Sequence, residues 1–373
     1  MALTRTFHVS KHMNRQAPGL FASRACRSII QLSKKNNIPF IIPIFLPHSG
    51  CPHHCSFCNQ TAITGTAPGC FTVEMFRLLI KKFMKYKGRR QQHVQVAFYG
   101  GNFLGLKKDT IKLFLDESTT FVKRGIIHSV RFSTRPDTIN EELLDFIKEY
   151  PISTIEIGLQ SMDDQVLAMS KRGHTAKDTE KAVDLLQGRK YDIGLQMMVG
   201  LPGDNEAKSL ATAQRIVEFS PAFVRIYPTV VLENSLLANW YQKGKYTPWS
   251  LDQCVTLVKK IYLLFQDNKI PVIRMGLQAS EDFEKGSAIV AGPYHPSFGH
   301  LVHSAIFFDK AAEALTSKKD LHKKVSINVH PNSISKMRGL NNNNVHRLKT
   351  KFHIKSLHII PDPTLSEDEL IVI

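Results

Sequence analysis

The chain has 373 residues, of which 43% are hydrophobic, enough to form one large domain and a smaller one. It contains no run of eighteen apolar residues, so no membrane-spanning helix is expected. Six cysteines, three of them clustered, exclude a secreted disulfide scaffold and favour a reducing compartment. We therefore expect a cytoplasmic protein.

The net charge of +17 is concentrated in two segments. Residues 1–73 carry seven lysines or arginines and no acid, and residues 318–355 carry ten against a single aspartate. Such segments on a nearly neutral body favour a polyanionic partner. We expect tRNA or another RNA, with a merely solvated basic face as the alternative. The basic N-terminal arm, residues 1–38, also has the composition of an organellar targeting sequence.

Strands and helices alternate from residue 39 onward. Six strands are predicted, at 40–46, 94–99, 129–133, 154–159, 193–199 and 223–228. Amphipathic helices are predicted at 73–85, 108–123, 140–149, 163–169, 177–187, 205–219 and 251–267. Repeated strand–helix units imply a parallel sheet with right-handed crossovers. The pattern therefore predicts a partial (β/α)6 TIM-like barrel over residues 39–270, with its chemistry at the C-terminal ends of the strands.

The pattern changes in the C-terminal extension, residues 271–373. Short strands are predicted at 325–329, 356–360 and 369–373. A helix is predicted at 332–351, interrupted by Gly339 and the asparagines at 341–344. We interpret this region as an extension that ends in a small basic α/β module.

Three cysteines, Cys51, Cys55 and Cys58, lie in a C-x3-C-x2-C spacing directly after the first predicted strand. Three thiolates on one loop can hold three irons of a [4Fe–4S] cluster. The fourth iron is then open to another ligand, because cubane clusters normally take four protein ligands. A structural zinc site is the alternative, with His53 or His54 as fourth ligand. Such sites usually use paired ligand sets, however, and no second C-x2-C is present.

Residues suited to ligand binding follow the ends of the later strands. The glycines Gly100 and Gly101 end the second strand, where they let the backbone approach a ligand and expose its carbonyl groups. Arg172 carries a guanidinium group that could clamp a carboxylate through two hydrogen bonds. The full set of candidates is Gly100, Gly101, Asn102, Arg135, Gln160, Arg172 and Gln196.

Together these motifs resemble the radical S-adenosylmethionine (SAM) superfamily, over about residues 39–270. The resemblance implies that Cys51, Cys55 and Cys58 hold a [4Fe–4S] cluster and that SAM fills its open site. It implies that the seven candidate residues contact SAM. It also implies that an external electron donor drives cleavage of SAM to methionine and a 5′-deoxyadenosyl radical.

Within that superfamily, residues 156–161, 200–204 and 225–236 resemble the radical SAM region of the Elongator catalytic subunit. The cysteine spacing is more compact here, and we expect no acetyltransferase domain. In both features, and in residues 291–299, the chain resembles a stand-alone bacterial subfamily of Elongator-like proteins. The resemblance implies tRNA or RNA modification.

The cluster loop also resembles that of oxygen-independent coproporphyrinogen oxidases, so a small-molecule substrate in cofactor metabolism is an alternative. A non-catalytic zinc-binding protein is a third.

Overall fold

A computed structural model describes residues 39–60, 71–87, 93–277, 288–318 and 324–373. The basic N-terminal arm, Cys26 and Cys70 lie outside the described residues. The described strands of the first 277 residues are β1 (Phe40–Phe45), β2 (Val94–Tyr99), β3 (Ser129–Thr134), β4 (Ile152–Gln160), β5 (Asp192–Val199), β6 (Phe223–Pro228), β7 (Val231–Leu232) and β8 (Val272–Met275). The helices of this region are α1 (Val73–Lys87), α2 (Lys108–Lys123), α3 (Glu141–Ile147), α4 (Asp164–Met169), α5 (Ala176–Leu186), α6 (Glu206–Phe219), α7 (Leu236–Gln242) and α8 (Leu251–Asp267).

Seven parallel strands form the main sheet, in the order β1-β2-β3-β4-β5-β6-β8. The sheet curls into a half-barrel, which confirms the predicted partial barrel. It has one strand more than predicted, because β8 pairs with β6 beyond residue 270. With only four residues, one of them Arg274, β8 has too weak an apolar pattern to be recognised as a strand.

The two faces of the sheet carry different side chains, because successive residues of a strand point to opposite sides. On β1, Ile42 and Ile44 are fully buried in the apolar core, whereas Pro43 and Phe45 line a cavity on the concave side. Aromatic side chains connect the helices to the outer face: Phe76 of α1 stacks on Phe98 of β2. The helices therefore cover the outer face and leave the concave face to a ligand.

The C-terminal region begins with β9 (Ile289–Ala291), which pairs antiparallel with β7, and α9 (Phe298–Thr316). The small module follows, with β10 (Lys324–Val329), α10 (Ile334–Arg338), α11 (Asn343–Phe352), β11 (Ser356–Pro361) and β12 (Leu370–Val372). In it, β10 lies between parallel β11 and antiparallel β12. The predicted helix at 332–351 divides into α10 and α11, because Gly339 (φ +71°) and Asn341 (φ +51°) interrupt it.

A second apolar core joins this module to α9. It contains Phe307 and Leu315 of α9, Ile327 of β10 and Leu348 of α11. None of the helices in the described parts of the chain is long and apolar enough to cross a membrane.

Candidate active site

The cysteine loop follows β1 at the C-terminal edge of the sheet. The backbone N–H of Cys58 donates to the carbonyl of Cys55 at 3.1 Å, and that of Cys51 donates to His48 at 3.4 Å. Cys55 is buried, and the other two cysteines are half-buried. All three line one cavity of about 640 Å³ on the concave side of the barrel. The spacing that suggested a shared cluster therefore places three thiols on the wall of a single cavity.

Burial makes the thiols of Cys51 and Cys58 poor acids. Burial and, to a smaller extent, the neighbouring cysteines raise the pKa of Cys58 to about 12. Burial also raises the pKa of Cys51, against the opposing effect of Arg172. Thiolates in such a place need positive charge beside them, which bound iron supplies when it displaces the protons. The thiols therefore fit a metal cluster. In the described residues, no three His, Cys, Asp or Glu side chains surround a position for a single metal ion.

Arg172 connects the cysteine loop to the barrel. Its Nη1 donates to Sγ of Cys55 at 3.2 Å, and its Nη2 donates to the carbonyl of Gly158 at 2.6 Å. Its Nε is buried without a hydrogen-bond partner in the described part of the chain. The guanidinium group is thus held at the cavity wall beside a thiol, and its Nε–H is left to bind a ligand.

The glycines after β2 allow a close approach of the cysteine loop. A Cβ on Gly101 would lie 2.3 Å from the carbonyl oxygen of Ser49 and 2.5 Å from that of Leu46. Gly100 has a φ of +94°, which side chains rarely adopt. Both glycines line the cavity. At these two positions, glycine is required first by the packing of the loop, and the backbone is exposed to a ligand as a consequence.

Asn102 differs from the other candidates because it is fully buried and lies away from the wall of this cavity. Its Nδ2 donates to the carbonyl of Gly50 at 2.9 Å. Its Oδ1 accepts hydrogen bonds from the hydroxyl of Thr134 at 2.7 Å and the N–H of Arg135 at 3.0 Å. In the structure it therefore joins the cysteine loop to the end of β3.

Arg135 is also held by the protein, with only 2% of its surface exposed. Its Nε and Nη2 donate to Asp137 at 2.9 and 3.0 Å, and Nη2 also donates to the backbone carbonyl of Arg172 at 2.6 Å. Nη1 is buried without a partner in the described part of the chain. Arg135 therefore supports the segment that carries Arg172, and the N–H groups of its Nη1 are left over.

The two glutamines lie farther along the same wall. Gln160 ends β4 with a φ of +66°. Gln196, on β5, donates from Nε2 to Glu156 at 2.8 Å and to Ser133 at 3.2 Å. Both line the cavity. The structure thus brings six of the seven predicted contacts to one cavity with the three cysteines.

Glu156 of β4 organises the inner wall of the barrel. It is fully buried, and its carboxylate lies 2.8 Å from Nε of Arg225 and 3.1 Å from Nε of Arg131. It also accepts a hydrogen bond from the hydroxyl of Tyr99 at 3.1 Å. The buried carboxylate is thus paired, as burial of a charge requires, and it is shared by two strand arginines.

The sequence analysis assigned no role to several residues of this wall. Tyr99, Arg225, Tyr227 and Arg274 all line the cavity. The available signal was the alternation of Arg225 and Tyr227 on β6, because side chains two residues apart share a face. Arg274 gave no comparable signal, since its strand was not recognised.

Comparisons with known proteins identify the family of this chain. The Radical SAM superfamily profile matches residues 45–216, and the Radical_SAM C-terminal domain profile matches residues 221–307. A tRNA uridine(34) acetyltransferase of Dehalococcoides mccartyi is 26% identical over 249 residues, which cover 57% of this chain and 54% of that protein. One from Methanocaldococcus jannaschii is 30% identical over 128 residues, which cover 34% of this chain and 24% of that protein. The chain thus spans only part of these relatives.

A solved structure of archaeal Elp3 from Methanocaldococcus infernus, with an N-terminal deletion, has the same fold. The TM-score is 0.55 at 20% identity, covering 72% of this chain and 63% of that one. The two profiles cover the cysteine loop, the strands from β2 to β8 and the first half of α9. The chain therefore belongs to the radical SAM superfamily, whose enzymes use a [4Fe–4S] cluster and SAM.

Proposed function

We propose that Cys51, Cys55 and Cys58 hold a [4Fe–4S] cluster and that the enzyme modifies RNA, with tRNA the first candidate. The observation that carries the cluster assignment is the single cavity wall shared by three thiols and Arg172. When bound and reduced by an external donor, the cluster supplies the electron that cleaves SAM to methionine and a 5′-deoxyadenosyl radical. We expect this reaction in the cytoplasm.

The residues of the chain would bind and orient SAM. The exposed backbone at Gly100 and Gly101 suits the ammonium group, because carbonyl oxygens accept its hydrogen bonds. The unpartnered Nε of Arg172 suits the carboxylate. The amides of Gln160 and Gln196 suit the ribose hydroxyls. Asn102 and Arg135 would act through the loops that they hold, with Nη1 of Arg135 as a possible direct contact.

Iron content tests the cluster. Anaerobically reconstituted protein should bind about four irons per chain. Changing Cys51, Cys55 or Cys58 to Ala should abolish this binding. The matched control is Cys254→Ala, because Cys254 is buried in α8 and does not line the cavity. Stoichiometric zinc without iron, after anaerobic purification, would contradict the proposal.

The proposal of an RNA substrate is supported by the relatives and by a basic edge on the C-terminal module. Parallel β10 and β11 start side by side, since Lys324 pairs with Ser356. In the chain, α9 precedes β10 and α11 precedes β11. The lysines at these helix ends and strand starts are called the basic edge: Lys318, Lys324, Lys349, Lys351 and Lys355.

The salt dependence of tRNA binding tests the basic edge. Each neutralised phosphate releases condensed counterions, so affinity should fall steeply as salt rises. Reversing the charge of Lys324, Lys351 and Lys355 to Glu should reduce the slope of log K against log salt by about two to three. Iron content should stay unchanged.

The control reverses three exposed lysines on the outer face of the barrel, Lys81, Lys82 and Lys85. This variant should keep the wild-type slope. An equal effect of both variants would indicate non-specific attraction. Absence of tRNA binding by the wild type at low salt would instead favour the small-molecule substrate.

A further inference from the structure

The cavity is lined by arginine side chains and, among the described residues, by no acidic side chain. Arg135, Arg172, Arg225 and Arg274 line it, and no aspartate or glutamate of the described residues does. The opposite side, from β1 and α1, is apolar and includes Pro43, Phe45 and Phe83. The cavity therefore has an apolar side and a positively charged side, an arrangement suited to a ligand with an anionic group.

The cofactors account for only part of this charge. A reduced [4Fe–4S] core with three thiolates carries two net negative charges, whereas SAM carries one net positive charge. Arg172, beside Cys55, supplies the balancing positive charge. Arg135 is neutralised by its ion pair with Asp137. The cysteine side of the cavity is thus balanced without the arginines of the inner wall.

The inner wall has an excess of positive charge. Arg131 and Arg225 share the single carboxylate of Glu156, and Arg274 adds a third positive charge on the neighbouring strand. Arg225 and Arg274 are direct neighbours on adjacent strands, where like charges destabilise a sheet. Arg274 forms no ion pair with any described residue. This juxtaposition is costly unless an anion binds between or beside the two guanidinium groups.

We infer that Arg225 and Arg274, with the neighbouring Tyr227, form a subsite for an anionic group of the substrate, either a carboxylate or a phosphate. The inference rests on the proposed function, because it places the reacting molecule in this cavity beside SAM. Paired guanidinium groups bind both kinds of anion through charge-assisted hydrogen bonds. The subsite lies on the inner wall, away from the cysteine loop. From there it would orient the substrate relative to the cofactors.

Anion binding tests the subsite. Calorimetric titration of the iron-loaded protein with SAM, at constant ionic strength, should show saturable binding of phosphate or malonate. The tighter of the two identifies the anion class. Arg274→Gln should bind that anion about tenfold or more weakly, the loss expected for a charged hydrogen bond. Arg274→Lys should be intermediate, because it keeps the charge without the planar fork.

The matched control is Arg215→Gln, because Arg215 pairs with Glu180 and Glu218 on the outer surface. It should bind the anion as the wild type does, and iron content checks that each variant is folded. The inference is overturned if the wild type binds neither anion, if Arg274→Gln binds normally, or if SAM abolishes binding. The last result would assign these arginines to SAM. Failure to bind iron would contradict the proposed function instead, since anion binding can also be titrated without iron.

Discussion

The two sides of the barrel cavity hold their arginines in different ways. On the cysteine side, Arg135 and Arg172 come from loops after the strands, and backbone carbonyls fix both. On the inner wall, Arg131, Arg225 and Arg274 come from the strands themselves, and one carboxylate pairs with the first two. We propose that the loop arginines bind the cofactors. We propose that the unbalanced charge of the strand arginines binds the substrate.

The largest expected effect comes from removing the shared carboxylate. Glu156→Gln should lower the free energy of unfolding by about 3–5 kcal/mol, because it leaves two buried guanidinium groups without a counter-charge. Urea denaturation measures this change. Glu142→Gln is the control, since Glu142 forms an exposed ion pair with Lys108 and its replacement should change the stability little.

Equal effects of these two variants would contradict this contrast between the two sides of the cavity. The strand arginines would then not depend on Glu156 for their counter-charge. Addition of phosphate should partly restore the stability of Glu156→Gln if an anion occupies the inner wall.

A smaller effect is expected on the cysteine side. Arg172→Ala should weaken SAM binding by about 1.5–3 kcal/mol through the loss of a charged hydrogen bond. Equilibrium titration of the iron-loaded protein with SAM measures this loss. Arg172→Lys should restore little, because one ammonium group cannot replace the guanidinium bonds to Cys55 and Gly158. Normal SAM binding by Arg172→Ala would assign the carboxylate to Arg135.

The same contrast explains how much the sequence could predict. The loop residues were found because their spacing follows recognisable strands: Cys51, Gly100 and Arg172 each lie in a short motif. The strand residues were missed because their importance depends on pairing between distant strands. Nothing local in the sequence indicates that Glu156 meets Arg225, 69 residues away.

The predicted strands were correct for a related reason. Each is rich in apolar residues and is bounded by polar turns, which is typical of a strand in a parallel sheet. The exception, β8, has only four residues, so Arg274 leaves too few apolar positions for recognition, whereas the longer β3 and β6 each tolerate one arginine. The residue that weakens its strand pattern is also the one that we assign to the substrate, so local pattern and function conflict at that position.

The smallest effect concerns His174, a buried side chain near Arg135 and Arg172. Burial and the positive charges of Arg172 and Arg135 lower the pKa of His174 to about 3, so this side chain is neutral in the folded protein. In the unfolded chain it takes up a proton below its ordinary pKa of 6.5. His174 therefore costs no stability above pH 6.5, and stability is lost as pH falls from 6.5 towards 3. Between pH 6.5 and 5 the loss should be about 2 kcal/mol.

Replacing His174 with Gln removes that proton and keeps an amide that can bond the carbonyl of Leu159, which lies 3.2 Å from Nε2 of the histidine. Urea denaturation at pH 7, 6 and 5, on iron-free protein, should give a flatter pH dependence for this variant. His358→Gln, on the exposed edge of the C-terminal module, should keep the wild-type dependence. If His174→Gln also keeps it, the histidine is protonated in the folded state. The buried surroundings of Arg172 would then accept a further positive charge. The fixed positions of Arg135 and Arg172 would in that case need a cause other than these buried surroundings.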